Sequence, residues 1–178
     1  MLRLRSIAAV LACLLVSAPL LAQELKNDPL TKEETEKIKM LGIEPNRRIG
    51  YIVDILNDRA KSIQDLTKRA PTPARDSLLD TKLQNFTAIM DELGDNMDEY
   101  GDRKADLRGS LKTLNDSTPR WMTILHSLAG TPAFDVSRKE AIESLEDLTD
   151  QGQRLLAEQE AYFKAHPKEK GQQRAEPN

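Results

Sequence analysis

Cysteine is almost absent: Cys13 is the only one in 178 residues. It lies in an apolar N-terminal stretch, so the chain beyond that stretch carries no thiol. That excludes disulfides, a cysteine nucleophile and metal ligation through sulfur, and leaves packing as the source of stability. Histidine is nearly as scarce. His126 and His166 have no acidic residue at the spacing of a zinc protease or of a carboxylate-bridged di-iron bundle. There is no glycine-rich phosphate loop and no Gly-x-Ser-x-Gly elbow, and Ser62, Ser77, Ser110 and Ser144 stand singly. Aromatic residues make up only 4% of the chain against 31% charged ones, which suits a narrow-cored helical bundle better than a sheet protein. No sequence repeat and no sustained strand-like alternation occur.

Long apolar runs are missing too. The one run, Ile7 to Val16, falls short of the about 20 residues that a bilayer core requires. Arg3 and Arg5 precede it, and Leu20-Leu21-Ala22 and polar Gln23 follow it, so residues 1–22 read as a secretory signal peptide. Acylation of Cys13 is the competing reading, but the hydrophobic run continues past it from Leu14 to Ala22. Cleavage after Ala22 is therefore expected, giving an exported, periplasmic or secreted protein with no stable membrane insertion. The remaining roughly 150 residues are the size of one domain. With Arg3 and Arg5 removed, 24 basic residues face 29 acidic ones, a net of −5 with both histidines neutral. A mildly acidic chain with interleaved charges argues against nucleic acid as a partner.

What the chain does have is a long apolar stripe. Alternating steps of four and three from Leu79 meet Leu83, Phe86, Met90, Leu93, Met97, Tyr100, Lys104, Leu107, Leu111, Leu114, Thr118, Trp121, Leu125 and Leu128. Only Lys104 and Thr118 are polar, and such spacing puts every side chain on one helical face. Ile49, Ile52, Leu56, Ile63 and Leu66 form a second face, over a helix expected at 46–69, with Arg59 laying its stem along it. Ala141, Leu145, Leu148, Leu155 and Tyr162 form a third. Stripes of this kind must be buried against one another, which predicts an all-α, antiparallel bundle of three to four main helices plus short capping helices, over residues 23–166.

Thr31-Lys32-Glu33-Glu34 has capping-box spacing and opens a short helix that Gly42 should stop. Three Thr-Pro pairs, at 72–73, 118–119 and 131–132, predict helix starts, because threonine caps free amides and proline has none to leave unsatisfied. The implied helices span 73–115, 119–129 and 132–165, with a second capping box at Ser137-Arg138-Lys139-Glu140. Gly94, Gly101 and Gly109 interrupt the first of these. The stripe keeps phase through them, so a continuous helix on the order of 60 Å long is expected, with a turn near Tyr100–Asp102 as the alternative. His166-Pro167 should end the last helix and leave 167–178 as a disordered polar tail.

The strongest charge feature is a band of Asp91, Glu92, Asp95, Asp98, Glu99 and Asp102 without an intervening base. Such runs usually set helix pairing and solubility. Asp95, Asp98, Glu99 and Asp102 are nonetheless the candidate interaction surface. In the helix expected at 46–69, Arg47, Arg48, Lys61, Lys68 and Arg69 outnumber Asp54, Asp58 and Asp65. If the band lies along it, Asp91, Glu92 and Asp95 should fall beside Arg47 or Arg48 and leave Asp98 to Asp102 to solvent or a partner. Trp121 sits on the stripe and is expected in the core, its indole N–H seeking an acceptor. Asp147 to Glu158 echoes a calcium loop only faintly, with Thr149 and Gln151 at ligand positions and helical apolar spacing throughout. Asn85-Phe86-Thr87 and Asn115-Asp116-Ser117 match the glycosylation sequon.

Leu30-Thr31-Lys32-Glu33-Glu34 resembles the Leu-Thr-x-x-Gln motif of Spy-like periplasmic helical chaperones, with glutamate in place of glutamine. The resemblance covers a few residues of one short helix and assigns no family. The first functional expectation is a non-enzymatic interaction or structural module of the cell envelope, with protein partners and no cofactor. A periplasmic chaperone or stress sensor, which the resemblance implies, comes second. A carboxylate-based metal-binding protein or enzyme comes third.

Overall fold

The structure, a computed structural model, describes residues 28–169, and the signal-peptide expectation falls outside them. Five α-helices and one 3₁₀ turn account for the described residues, with no strand among them. They are α1 (Lys32–Met40), α2 (Pro45–Thr67), α3 (Pro73–Asp102), α4 (Arg108–Ser127) and α5 (Asp135–Ala165), followed by the 3₁₀ turn Pro167–Glu169. The protein is thus an all-α bundle with consecutive main helices antiparallel. Among the described residues, no helix is long and apolar enough to cross a membrane.

The four long helices form a ring in the order α2, α3, α5, α4. Neighbours α2 and α4 run parallel: Asn46 meets Ser110 at their starts and Asn57 meets Trp121 further along. Helices α3 and α5 are likewise parallel, with Asp80 on Ser137 and Gly94 on Gln151. Helices α3 and α4 face each other across the core diagonal, where the edge of one ring meets the face of the other in the T-shaped pair Phe86–Trp121, 5.8 Å between centroids. Every apolar member of the predicted stripe is buried, from Leu79 to Leu128. Trp121 is fully buried and donates its indole N–H to Asn57 Oδ1 at 2.9 Å.

The continuous helix 73–115 does not form. The chain turns at Arg103–Leu107, close to the alternative position, and crosses the diagonal there. Lys104 adopts φ 57°, the left-handed conformation. Its amide bonds to Gly101 O at 3.0 Å and that of Ala105 to Tyr100 O at 3.0 Å, the double closure of a Schellman motif. The apolar stripe keeps phase because the turn replaces just as many residues as a helix would need to bring Leu107 back under Tyr100. Lys104, one of the two polar members of the stripe, is the exposed tip.

The three Thr-Pro pairs fare differently. Thr72 caps α3, its hydroxyl accepting from the Arg75 amide at 3.1 Å. Thr118-Pro119 starts nothing: Pro119 lies inside α4 and Thr118 is buried. A proline inside a helix costs about 3 kcal/mol. Burying each of Leu114, Trp121 and Leu125 contributes about 1.5–3 kcal/mol, so packing on both sides of the proline carries the helix through it. After Thr131 the chain makes one more turn before α5, with Thr131 O accepting from the amides of Phe134 and Asp135 while buried Phe134 pins the loop. Ser137 is therefore inside α5 and donates to Asp80 Oδ1 at 2.6 Å instead of capping. The expected tail begins as a turn: Tyr162 donates its hydroxyl to Glu169 Oε2 at 2.6 Å, and residues 170–178 lie outside the described ones.

Helix α1 forms as expected, with Thr31 Oγ1 accepting from Glu34 N at 3.2 Å and Glu34 Oε2 accepting from Thr31 N at 2.8 Å. It lies outside the ring on α2.

Candidate functional site

The acidic band belongs to the α3–α5 side of the ring. Helices α3 and α5 together carry 16 acidic and 6 basic residues, net −10. Helices α2 and α4 carry 4 acidic and 7 basic, net +3. Since α3 and α5 are neighbours, the bundle has one strongly acidic face and an opposite, weakly basic one.

Between α3 and α5 runs an open groove of about 670 Å³, walled by Asp91, Asp95 and Asp98 on one side and Glu140, Glu143 and Asp147 on the other. Met90 and Leu148 contribute to its floor, and Arg154 is its one cationic wall residue. Asp98 and Arg154 also line a smaller cavity of about 130 Å³ that continues towards the α3 C-terminus, bounded by Asp102, Lys104, Glu158 and Tyr162. Glycine at two positions suits the close approach of the helices, where a Cβ would be tight against the facing side chain. A Cβ at Gly94 would lie 3.0 Å from Gln151 Oε1, and one at Gly101 would lie 3.1 Å from Leu155 Cδ1.

Of the candidate surface residues, Asp95, Asp98 and Asp102 are exposed and line the two cavities. Glu99 is exposed and ion-paired to Arg103 one turn on. Asp91 accepts from Ser144 Oγ of α5 at 2.8 Å. The band does not pair with Arg47 and Arg48. Arg47 bonds Glu44 at 2.7 Å, and Arg48 donates to the Tyr100 hydroxyl at 3.4 Å. The pairing expectation failed because α5 lies along the band, and α2 meets α3 at Tyr100 through Arg48.

The carboxylates are strung along the groove. Among the described residues, no three His, Asp or Glu side chains gather closely enough to hold a metal ion. His126 is exposed, and His166 stacks on the Tyr162 ring at 4.4 Å. The segment Asp147 to Glu158 is continuous α5 helix, without the loop a calcium site needs. Both sequons lie in helices. Phe86 is fully buried, and the hydroxyls of Thr87 and Ser117 donate to the carbonyls of Leu83 and Thr113. The α5 wall of Glu140, Glu143 and Asp147 went unnoticed in the sequence, although no basic residue stands between Glu140 and Asp150. Their four- and three-residue spacing was the available signal.

Compared with protein-family models, with characterised proteins and with solved structures, the chain matches none.

Proposed function

We propose that this protein is a non-enzymatic interaction module of the bacterial cell envelope, exported by its N-terminal leader, which presents the acidic α3–α5 face to a basic protein partner. The observation that carries it is the segregation of charge: net −10 on two adjacent parallel helices. A face about 45 Å long, the length of α3, with carboxylates on both walls of a groove suits an extended Lys- or Arg-rich segment, steered by long-range attraction. Dispersed carboxylates of this kind favour recognition over acid–base chemistry, which needs groups convergent on one reacting atom. The chaperone reading rests on Leu30 to Glu34, and capping α1 and holding it on α2 already accounts for those residues.

A photo-crosslinker placed at Asp95 and, separately, at Lys61 on the opposite side tests the proposal in intact envelopes. Adducts are expected at Asp95 only, should diminish with salt, and should map to a basic segment of the partner. Equal labelling at the two positions, or adducts indifferent to neutralising Asp91, Asp98, Glu143 and Asp147, would overturn it. Mass spectrometry of the exported protein should give Gln23 as its first residue. Retention of Met1, or lipid on Cys13, would refute the export route.

A further inference from the structure

Among the helices, α1 packs only on α2. It runs back along α2: Glu34 reaches Arg59, and Lys37 Nζ stands 4.1 Å from the centre of the Tyr51 ring. At the turn that follows, the Tyr100 hydroxyl donates to Gly42 O at 3.3 Å. Tyr51, Ile55 and Arg59 stand four residues apart and so share one line of α2, distinct from the line of Asn46 and Asn57 that faces α4. Arg59 is mostly buried, and both acceptors of its Nη2 come from the α1 segment: Glu34 Oε2 at 2.6 Å and Pro29 O at 3.3 Å. The same Glu34 oxygen accepts the Thr31 amide at 2.8 Å. One carboxylate therefore caps α1 and ties it to α2. Ile38 is the single buried residue of the nine in α1, with buried Leu30 just ahead of the helix. A helix this short does not persist alone in water, so α1 folding and α1 docking are one event.

We propose that the Tyr51–Ile55–Arg59 line of α2 is a docking strip for a short helix with a carboxylate in its first turn and a cation one turn on, and that α1 is its resident occupant in cis. The pattern it accepts is read from α1: an apolar residue just before the N-cap, a carboxylate at the third helical position, and an apolar residue four further on. Arg59 recognises the carboxylate, the Tyr51 ring takes a cation one turn along, and the apolar side chains close the flank. A partner helix with this pattern competes with α1 for the strip. The strip lies on α2, away from the α3–α5 face, so its test is independent of the proposed envelope role.

The test uses the full chain and a fluorescent peptide of residues 28–42 as probe, read by anisotropy. Glu34→Lys with Ile38→Asp releases α1 in cis, which hydrogen exchange should report as lost protection in α1 with α2 to α5 still protected. The released chain is expected to bind the peptide at least tenfold more tightly than the wild type, because occupancy in cis lowers apparent affinity by the fraction open. Adding Arg59→Glu should remove that gain. Equal affinity for wild type and released chain would overturn the proposal, as would a gain that survives Arg59→Glu. Loss of protection throughout α2 to α5 in the released chain would show α1 to be part of the core and overturn it as well.

Discussion

Gln159 decides whether the diagonal turn holds. Its side chain is 5% exposed, and its amide spans the turn between α3 and α4. Oε1 accepts from the Leu107 amide at 2.8 Å, and Nε2 donates to Ala105 O at 2.8 Å. Leu107 precedes α4 and has no side-chain cap of its own, so the glutamine, with Asn46 Oδ1 on the Ser110 amide at 2.8 Å, caps α4 from two other helices. Replacing Gln159 with leucine keeps the volume and orphans two buried backbone groups, at about 1–3 kcal/mol each. The added apolar surface returns about 1 kcal/mol, so a net loss of about 1–5 kcal/mol is expected from urea denaturation followed at 222 nm. Gln159→Glu sharpens the test. An introduced carboxylate can accept from Leu107 but confronts Ala105 O, whereas its protonated form can both accept and donate. Its folded pKa is then raised above the unfolded value of about 4.3. Stability should be nearly intact below that value and fall as pH rises through the folded pKa. A loss under about 1 kcal/mol for Gln159→Leu, or a flat pH difference for Gln159→Glu, would refute the clamp.

Lys104→Gly should stabilise by about 1 kcal/mol in the same assay, since glycine takes the left-handed position without the Cβ penalty. The gain is trimmed by loss of the Lys104–Tyr162 contact. Pro119→Ala, at an exposed site inside α4, should stabilise by about 1–3 kcal/mol by restoring a helical amide; destabilisation would mean that the core needs the proline's geometry. Burial raises the Glu34 carboxyl pKa, but the Thr31 amide and the Arg59 guanidinium outweigh it and hold the value below that of ordinary glutamate. Its contribution is therefore complete above the unfolded pKa and lost as pH falls through the folded one, so Ile38 methyl resonances should broaden or shift only in that acid window. Added salt should raise the stability of the whole bundle by screening α3 against α5; a fall with salt would mean that ion pairs between helices dominate.

The apolar stripes located the helices because burial of a periodic face is the strongest local signal a bundle leaves in its sequence. Thr72-Pro73 and Thr31–Glu34 were legible for another reason: a cap is a contact within one turn of the chain. The break at Arg103–Leu107 was not, since the stripe runs in phase from Tyr100 to Leu107 whether or not the helix continues. Its closing features are the φ of Lys104 and a glutamine 52 residues from Leu107. Thr118-Pro119 misled because local chemistry there favours a start while the buried residues on either side favour continuity. The acidic band was visible on α3, but its facing wall on α5 depends on which helices become neighbours, and helix order around a ring is not written in any one helix.

That order also determines the charged face. Helix α3 has eight acidic and two basic residues, net −6, and α5 has eight and four, net −4. Their chain neighbours α2 and α4 are net +1 and +2. Had the helices followed one another round the ring, α3 and α5 would stand across the diagonal with a weakly basic helix on either side. The diagonal turn instead sets the two acidic helices side by side, an arrangement that simple electrostatics disfavours in the isolated bundle. It is held by groups that do not depend on surface charge: the Schellman closure at Lys104, Asn46 on Ser110, and buried Gln159 between Ala105 and Leu107. A basic partner on the α3–α5 groove, as proposed, would relieve the repulsion between those helices. Part of its affinity would then come from strain that the turn imposes on the free protein.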